Sequence, residues 1–348
     1  MNEYIELLQS LISVKSFSRA EKDAAHLMRQ FLTQAGVAFE TKANNTWARN
    51  LHWKEGLSVI VLDSHIDTVK PSGGYTRDPF SADIEDGILY GLGSNDAGGP
   101  LVTLLAAFMH FYAQENLPFN LIYVASAEEE ISGSEGLASI LDELGPFDLA
   151  IVGEPTQMQM AIAEKGLMVL DCVSHGKSGH AAREEGDNAI YKAIADIEKL
   201  TSFRFPKSSS ILGCVKTSVT VINAGSQHNV VPDTCTFVVD VRTNEYYSNQ
   251  EAYKIIDQLL ESEVKPRSLR LNSSGIPVEH PIVQRGIQLG LDYYGSPTTS
   301  DQAVIPYPSI KIGPGDSARS HTADEYILLS EMEEGLRIYI ELLEDLKL

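Results

Sequence analysis

Three short apolar runs constrain this chain more than any other feature: residues 58–64 (SVIVLDS), 120–125 (NLIYVA) and 148–152 (DLAIV). Runs of this length, built mostly from β-branched and aliphatic residues and bounded by Gly or polar residues, read as buried strands. Each leads into a residue that can hold a metal. His65 follows the first, with Asp67 two positions on; Glu128, Glu129 and Glu130 follow the second; Glu154 follows the third, inside a Gly-Glu-Pro-Thr turn. In an open α/β sheet ligands bind outside the carboxyl ends of the strands, so all three runs deliver their polar residues to one edge. Taken singly, these are a polar strand end, a solvated acidic loop and a turn. Their recurrence at the same relative place is what points to a site.

The segments between the runs fit such a sheet. Residues 2–13 place Ile5, Leu8, Leu11 and Ile12 on one helical face, and residues 20–35 do the same with Ala24, Leu27, Met28, Phe31 and Leu32 before Gly36. Strands are expected at 37–41 and 47–53. Asp86-Gly87 between two strand-forming pieces is a hairpin turn. Its exit, Gly91-Leu92-Gly93-Ser94-Asn95-Asp96, leads to a helix expected over 97–114, which puts Asp96 at a helix N-terminus, a place where an aspartate also serves as a cap. Near the other end come a helix over 281–293, a strand over 309–312, the GPGDSARSH loop that closes on His321, and a helix from 330.

Around Gly166 the pattern changes to strand (167–174), helix (188–200), strand (215–222), strand (235–242), helix (250–261) and strand (268–272). The order β-α-β-β-α-β folds as a four-stranded antiparallel sheet with two helices on one face. The expected architecture is therefore an α/β catalytic domain from residues 1–165 and 275–348, with a mostly parallel sheet flanked by helices. A ferredoxin-like α+β lid and dimerisation domain at 166–274 interrupts it.

Bulk properties narrow the function. A length of 348 residues with 43% hydrophobic content fills two cores, and a net charge of −21 argues against nucleic acid or an anionic membrane as partner. The start, MNEYIELLQSLISVKS, is acidic and helical where a secretory signal needs a basic start and an apolar block, and no run reaches the ~20 residues that span a bilayer. A cytoplasmic protein is expected. Cys172, Cys214 and Cys235 are far apart in strand-like segments and read as reduced thiols.

His65, Asp96, Glu129 or Glu130, Glu154 and His321 together make two imidazoles and three carboxylates, a set suited to Zn²⁺ or a similar divalent ion. With one carboxylate shared, five groups hold two ions, which activate a water and stabilise an oxyanion. The Glu129-Glu130 doublet then offers one ligand and one general base, and spacing does not say which is which.

The motifs SHIDTV, DGILYGLGSNDAGG, SAEEEISG, IVGEPT, SGHAA, NVVPDTC, DVRT and SHTADEY, in this order over the whole chain, resemble those of the co-catalytic zinc amidohydrolases and peptidases. That family includes acetylornithine deacetylase, succinyl-diaminopimelate desuccinylase, aminoacylase and carboxypeptidase G. The resemblance implies that His65, Asp96 and Glu154 bind one metal and that Asp96, Glu130 and His321 bind the other, with Asp96 bridging. It makes Glu129 the general base and Asp67 the carboxylate that orients the histidine ligand or the base. His180 falls on a histidine that polarises the scissile carbonyl, in many members from a partner subunit. Asn229 and Arg242 fall on positions that contact substrate, the Arg by pairing a carboxylate. Gly91-Leu92-Gly93 and Ala97 depart from the Gly-Arg-Gly and Lys usual around the bridging Asp.

The stretch IVGEPTQMQMAIAEKG, the SGHAA…GDNAI run and the SHTADEY ending resemble the acetylornithine deacetylase branch or its relatives that act on N-succinylornithine. That implies a zinc enzyme, or a cobalt one, that removes the acyl group of an N-acyl-L-ornithine in arginine biosynthesis. A succinyl group would add a carboxylate, for which Arg77, Lys165, Arg183 and Arg319 are candidate partners. Competing readings are a succinyl-diaminopimelate desuccinylase, a metallo-dipeptidase or carboxypeptidase, and a binding protein without catalysis. An open sheet edge in the lid suits a homodimer.

Overall fold

Strand β3 (Val59–His65) lies between β6 (Asn120–Ser126) and β7 (Leu149–Val152), all parallel, and β17 (Ser309–Lys311) continues the parallel set beyond β7 in a computed structural model that describes residues 1–344 and 346–348. The first three are the apolar runs, and their middles are fully buried: Ile60, Val61, Leu62, Leu121, Ile122 and Leu149 show no exposure. Further strands finish the sheet. β2 (Asn45–Arg49) pairs β6 and β1 (Glu40–Lys42) pairs β2 on one side; β8 (Met160–Glu164), β15 (Ser274–Gly275) and β16 (Tyr293–Ser296) follow β17 on the other. The result is a mixed α/β fold whose central strands are parallel.

Alternation along β3 sends Ile60 and Leu62 to one face and Val61 to the other. On the first face they join Leu8 of α1 (Asn2–Ile12), Met28 of α2 (Lys22–Gln34), Leu104, Leu105 and Phe108 of α3 (Gly99–Tyr112), and Tyr339 and Leu342 of α8 (Leu329–Leu343) in one apolar cluster. On the second, Val61, Ile122, Val124 and Val152 meet Leu137, Ile140, Phe147 and Leu144 from the short α4 (Leu141–Leu144). Helix α7 (Pro281–Gln288) adds Ile282 and Val283 to the first cluster. A small three-stranded sheet, β4 (Ile84–Glu85), β5 (Ile88–Tyr90) and β18 (Tyr326–Leu328), contains the Asp86-Gly87 hairpin, both of whose residues have positive φ, 49° and 79°.

The chain divides into two compact units: Met1–Ile162 with Gly275–Tyr294 and Ser300–Leu348, and Ala163–Ser274 with Gly295–Thr299. The second unit has its own core. Its sheet runs β11-β13-β9-β14, all antiparallel, from β9 (Gly166–His175), β11 (Lys216–Ala224), β13 (Thr234–Thr243) and β14 (Glu263–Pro266). Helices α5 (Ala189–Ser202) and α6 (Asn249–Leu259) complete the split β-α-β-β-α-β order. Both helices start on side-chain caps. Asn188 accepts from the Ile190 N–H, and Ser248 with Glu251 forms a capping box. A short ladder, β10 (Gly179–His180) with β12 (Val230–Val231), stands apart from the sheet.

Several element boundaries differ from the sequence reading. Helix α3 begins at Gly99 rather than residue 97, so Asp96 does not cap it; Pro100 occupies the first turn, where its missing N–H costs nothing. The last strand of the second unit is β14 at Glu263–Pro266 instead of 268–272. Pro266 looks like a strand breaker, yet β14 is an edge strand and tolerates it. Helix α7 stops at Gln288, β1 begins at Glu40, and β8, which carries no turn signal at its start, is an addition.

Candidate metal centre

The parallel strands bring five of the expected ligands together. His65 closes β3 and is 2% exposed. Its Nδ1 lies 2.8 Å from the Asp67 carbonyl, which can only accept, so Nδ1 carries a proton and Nε2 is the nitrogen turned toward the carboxylates. Around Nε2 stand Asp96 Oδ1 at 3.3 Å, Glu154 Oε1 at 3.6 Å and Glu129 Oε2 at 3.9 Å. The second histidine, His321, has its Nε2 at 3.0 Å and 3.2 Å from the two Glu130 carboxylate oxygens and at 3.6 Å from Asp96 Oδ2. Asp96 thus presents one oxygen to each histidine. Side-chain donors of His65, Asp96 and Glu130 all fall within 4.8 Å of one another, as do those of His65, Glu129 and Glu154.

Asp96 reaches this place because the chain does not enter helix α3 directly. Ser94–Gly98 forms a tight irregular turn in which Asp96 is extended, at φ −120° and ψ 97°, and the Asp96–Ala97 peptide is cis. Bare backbone is needed to close it: a Cβ at Gly98 would lie 2.4 Å from the Gly93 carbonyl, and one at Gly99 2.2 Å from Ile327.

The three consecutive glutamates have separate roles. Glu128, at φ 55°, turns its carboxylate back to the Glu135 N–H, so it ties the loop rather than the centre. Glu129 faces His65, and Glu130 faces His321. Asp67 holds both of the latter in position, accepting from the Glu129 N–H at 3.0 Å and the Glu130 N–H at 3.2 Å, and it is itself fixed by the Ser18 hydroxyl at 2.7 Å.

Charge balance tests whether cations fit. Burial pushes the Glu129 carboxyl well above its usual range, with Glu154, Asp301 and Glu130 adding repulsion and His65 only partly offsetting it. Burial, then the Asp96 charge, pushes Glu154 up to about 8. The Glu130 hydrogen bond raises His321 to about 9. Burial alone would lower His65, but its bonds to Asp67 and Asp96 and the Glu129 and Glu154 charges hold it well above the ordinary imidazole value. Carboxylates crowded out of water in this way lack positive charge, and two imidazole nitrogens with three carboxylates are the donors that Zn²⁺-type ions take. The residues fit two divalent ions.

His180, Asn229 and Arg242 lie in the second unit. His180 is exposed, accepts at Nδ1 from the Ala182 N–H, and neighbours Asn229, whose carbonyl takes the Ala181 N–H. Arg242 is held on one edge by Asp240 (2.8 Å and 3.1 Å), and its Nη1 donates to Thr299 Oγ1. Of the four cations considered for an acyl carboxylate, Arg77 is paired with Glu85 and stacked 4.0 Å over Tyr90. Arg319 is bidentate to Glu331, and Lys165 donates to the Cys214 carbonyl. Arg183 is exposed and has no ion pair among the described residues.

Three carboxylates around the centre escaped the sequence reading. Glu325 is 2% exposed and pushed up to about 8 by burial and the Asp96 charge. Asp301, pushed up to about 6 by burial, accepts from Ser126 Oγ. Asp63 is wholly buried beside Asp301, and among the described residues neither of its oxygens has a donor at hydrogen-bond geometry. Asp63 had a signal, as a charge inside an otherwise apolar strand; Glu325 sat inside a quoted motif without a role.

Comparison with known proteins agrees with this geometry. The family model described as peptidase family M20/M25/M40 matches residues 61–345. A succinyl-diaminopimelate desuccinylase of Wolbachia sp. subsp. Brugia malayi is 26% identical over 97% of this chain and 92% of its own length. Among solved structures, aminopeptidase PepT from Bacillus cereus superposes with a TM-score of 0.77 at 19% identity, covering 99% of this chain and 96% of that one. A dinuclear metal-binding peptidase of the M20 family from Bacillus subtilis gives a TM-score of 0.75 at 16% identity, covering 98% and 97%.

Proposed function

Since the chain belongs to peptidase family M20/M25/M40 and is a metal-dependent hydrolase, we propose that it cleaves the amide bond of an N-acyl amino acid with two divalent ions, an N-acyl-L-ornithine being the first candidate. The observation that carries this reading is Asp96, with one carboxylate oxygen toward His65 and the other toward His321, next to a glutamate poised for proton transfer. His65, Asp96 and Glu154 would hold one ion, and Asp96, Glu130 and His321 the other, with Zn²⁺ the first choice and Co²⁺ a substitute. Ions bound there supply a water of lowered pKa and positive charge for the oxyanion that forms on the acyl carbonyl.

The chain's own residues do the rest. Glu129 takes the proton of the attacking water at its carboxylate and returns it to the departing amine, a task suited to a carboxyl whose proton affinity burial has raised. Asp67 keeps Glu129 aimed by its bond to the Glu129 N–H and fixes the Glu130 backbone at the same time. His180 polarises the carbonyl, and Asn229 and Arg242 bind the amino-acid end, Arg242 through the guanidinium edge that Asp240 leaves free.

A succinyl-diaminopimelate substrate is the second reading, favoured by the 26% identical relatives of that name. Succinyl in place of acetyl needs a cation; among the described residues Arg183 has no ion pair, and Lys165 donates to a backbone carbonyl rather than to an acid. The deciding measurement is amine release from N-acetylornithine, N-succinylornithine and succinyl-diaminopimelate offered in parallel to the Zn²⁺-loaded protein. Turnover of either ornithine derivative supports the first reading. Turnover of succinyl-diaminopimelate alone replaces it.

A homodimer through the second unit belongs to the same proposal. Strand β11 is the outer strand of that sheet and exposes Val221 at 47% and Ile222 at 50%, an edge that a second copy could extend. A monomer by light scattering, at full activity, would remove both the dimer and any role of His180 across it.

A further inference from the structure

The loops that carry Asp96 and His321 are far apart in the chain, and two side chains outside the ligand set bind them to each other. Asn95, fully buried, uses both edges of its amide on Asp316: Nδ2 donates to the Asp316 carbonyl at 3.0 Å, and Oδ1 accepts from the Asp316 N–H at 2.9 Å. The fit is close enough that a Cβ at Gly315 would lie 2.4 Å from that Oδ1. From the opposite direction, Glu325 Oε1 accepts from the N–H groups of both Asn95 and Asp96, each at 2.9 Å.

Glu325 does at Asp96 what Asp67 does at Glu129 and Glu130: a carboxylate outside the ligand set grips two consecutive backbone N–H groups and so fixes where the next carboxylate points. The two clamps differ in reach. Asp67 holds a loop close to its own strand end, whereas Glu325 and Asn95 join segments separated by 230 and 221 residues.

We propose that Glu325, together with Asn95, is a positioning residue that locks Asp96 against His321 and thereby sets the affinity for the second divalent ion, the one that Asp96, Glu130 and His321 would share. This rests on the two-metal reading. What the clamp needs from Glu325 is an acceptor at Oε1, not a ligand, so a glutamine with the same oxygen keeps it.

The test is titration of metal-free protein with Co²⁺, followed by calorimetry and by the visible absorption of the bound ion. Wild type is expected to take up two equivalents. E325A should bind the second about 10–100-fold more weakly, the usual effect of losing an outer-sphere partner, with a smaller change in the first. E325Q should follow wild type within a few-fold on both. Two unchanged equivalents in E325A, or an E325Q as weak as E325A, overturn the assignment. If E325A shows no cooperative unfolding, E325D, whose carboxylate is one methylene short of the two N–H groups, takes its place with the same expectation. A wild type that binds fewer than two equivalents overturns the two-metal reading and this assignment with it. Two equivalents in wild type beside an unaltered E325A overturn the assignment alone.

Discussion

Asp196 and Asp301 are both aspartates shut away from water, one in each unit, and the protein treats them in opposite ways. Asp196, 2% exposed, accepts from the Glu261 and Ser262 N–H groups, the Ser262 hydroxyl and the Lys199 ammonium. Burial opposes its charge, but these donors outweigh burial and hold the carboxyl below its ordinary value. Asp301, 7% exposed, has the Ser126 hydroxyl and the buried Asp63 beside it, and burial, with the Asp67 charge added, pushes it up to about 6. The second unit settles its buried charge with its own donors. The first leaves several carboxylates unsettled around a point where positive charge must come from outside. Burial of an acid therefore says little about function until its donors are counted.

The sharpest way to break that contrast is to remove the carboxylate proposed as the general base. Glu129→Ala should lower amide hydrolysis by about 10²–10⁴-fold while two metal equivalents remain bound. Loss of metal together with activity would place Glu129 among the ligands instead, and a protein with no turnover to lose would be a binding protein. Next in size is the metal itself. Loading at about 100 times the dissociation constant should stabilise the first unit by about 3 kcal/mol per ion, read as slower hydrogen exchange in β3 and β6, with β9 and β13 of the second unit unchanged. Equal protection in both units would contradict the idea that only the first waits for cations.

Smaller effects test the two aspartates directly. Asp196→Ala strands two N–H groups and should cost on the order of 2 kcal/mol at pH 7, seen in urea unfolding of the second unit. A lowered folded-state pKa stabilises only above the unfolded aspartate value near about 3.9, so this cost should fade as the pH falls into and below that range. Asp301→Asn should do the reverse in the metal-free protein. Its raised pKa means that ionisation opposes folding, so the substitution should add stability that grows as the pH rises toward and past about 6 and is small at pH 4. If both variants show the same pH trend, the contrast between the units is wrong.

What could be read from the chain follows from the range of the interactions concerned. His65, Glu130 and Glu154 stand at the ends of apolar runs, and a strand's burial and direction are local properties, so their convergence on one edge was legible. The second unit was legible in element order because its helices and strands each have their own periodicity. Glu325, Asp301 and Asp196 were not. Each takes its meaning from groups remote in sequence, such as Glu261 and Ser262 for Asp196, which otherwise looks like one more polar position of an amphipathic helix. The start of α3 was misjudged for a related reason, since the turn through Gly98 and Gly99 depends on what a Cβ would strike elsewhere.

His321 meets Glu130 across 191 residues, and Glu325 meets Asn95 across 230. During synthesis the segments that carry His65, Asp96, Glu129 and Glu154 therefore leave the ribosome long before the segment that completes their surroundings. Contacts so distant in sequence form late, and the acidic half of the centre must persist for that interval without its second histidine. The order of the chain thus brings together the His65 side of the centre before His321 and Glu325 arrive to complete it.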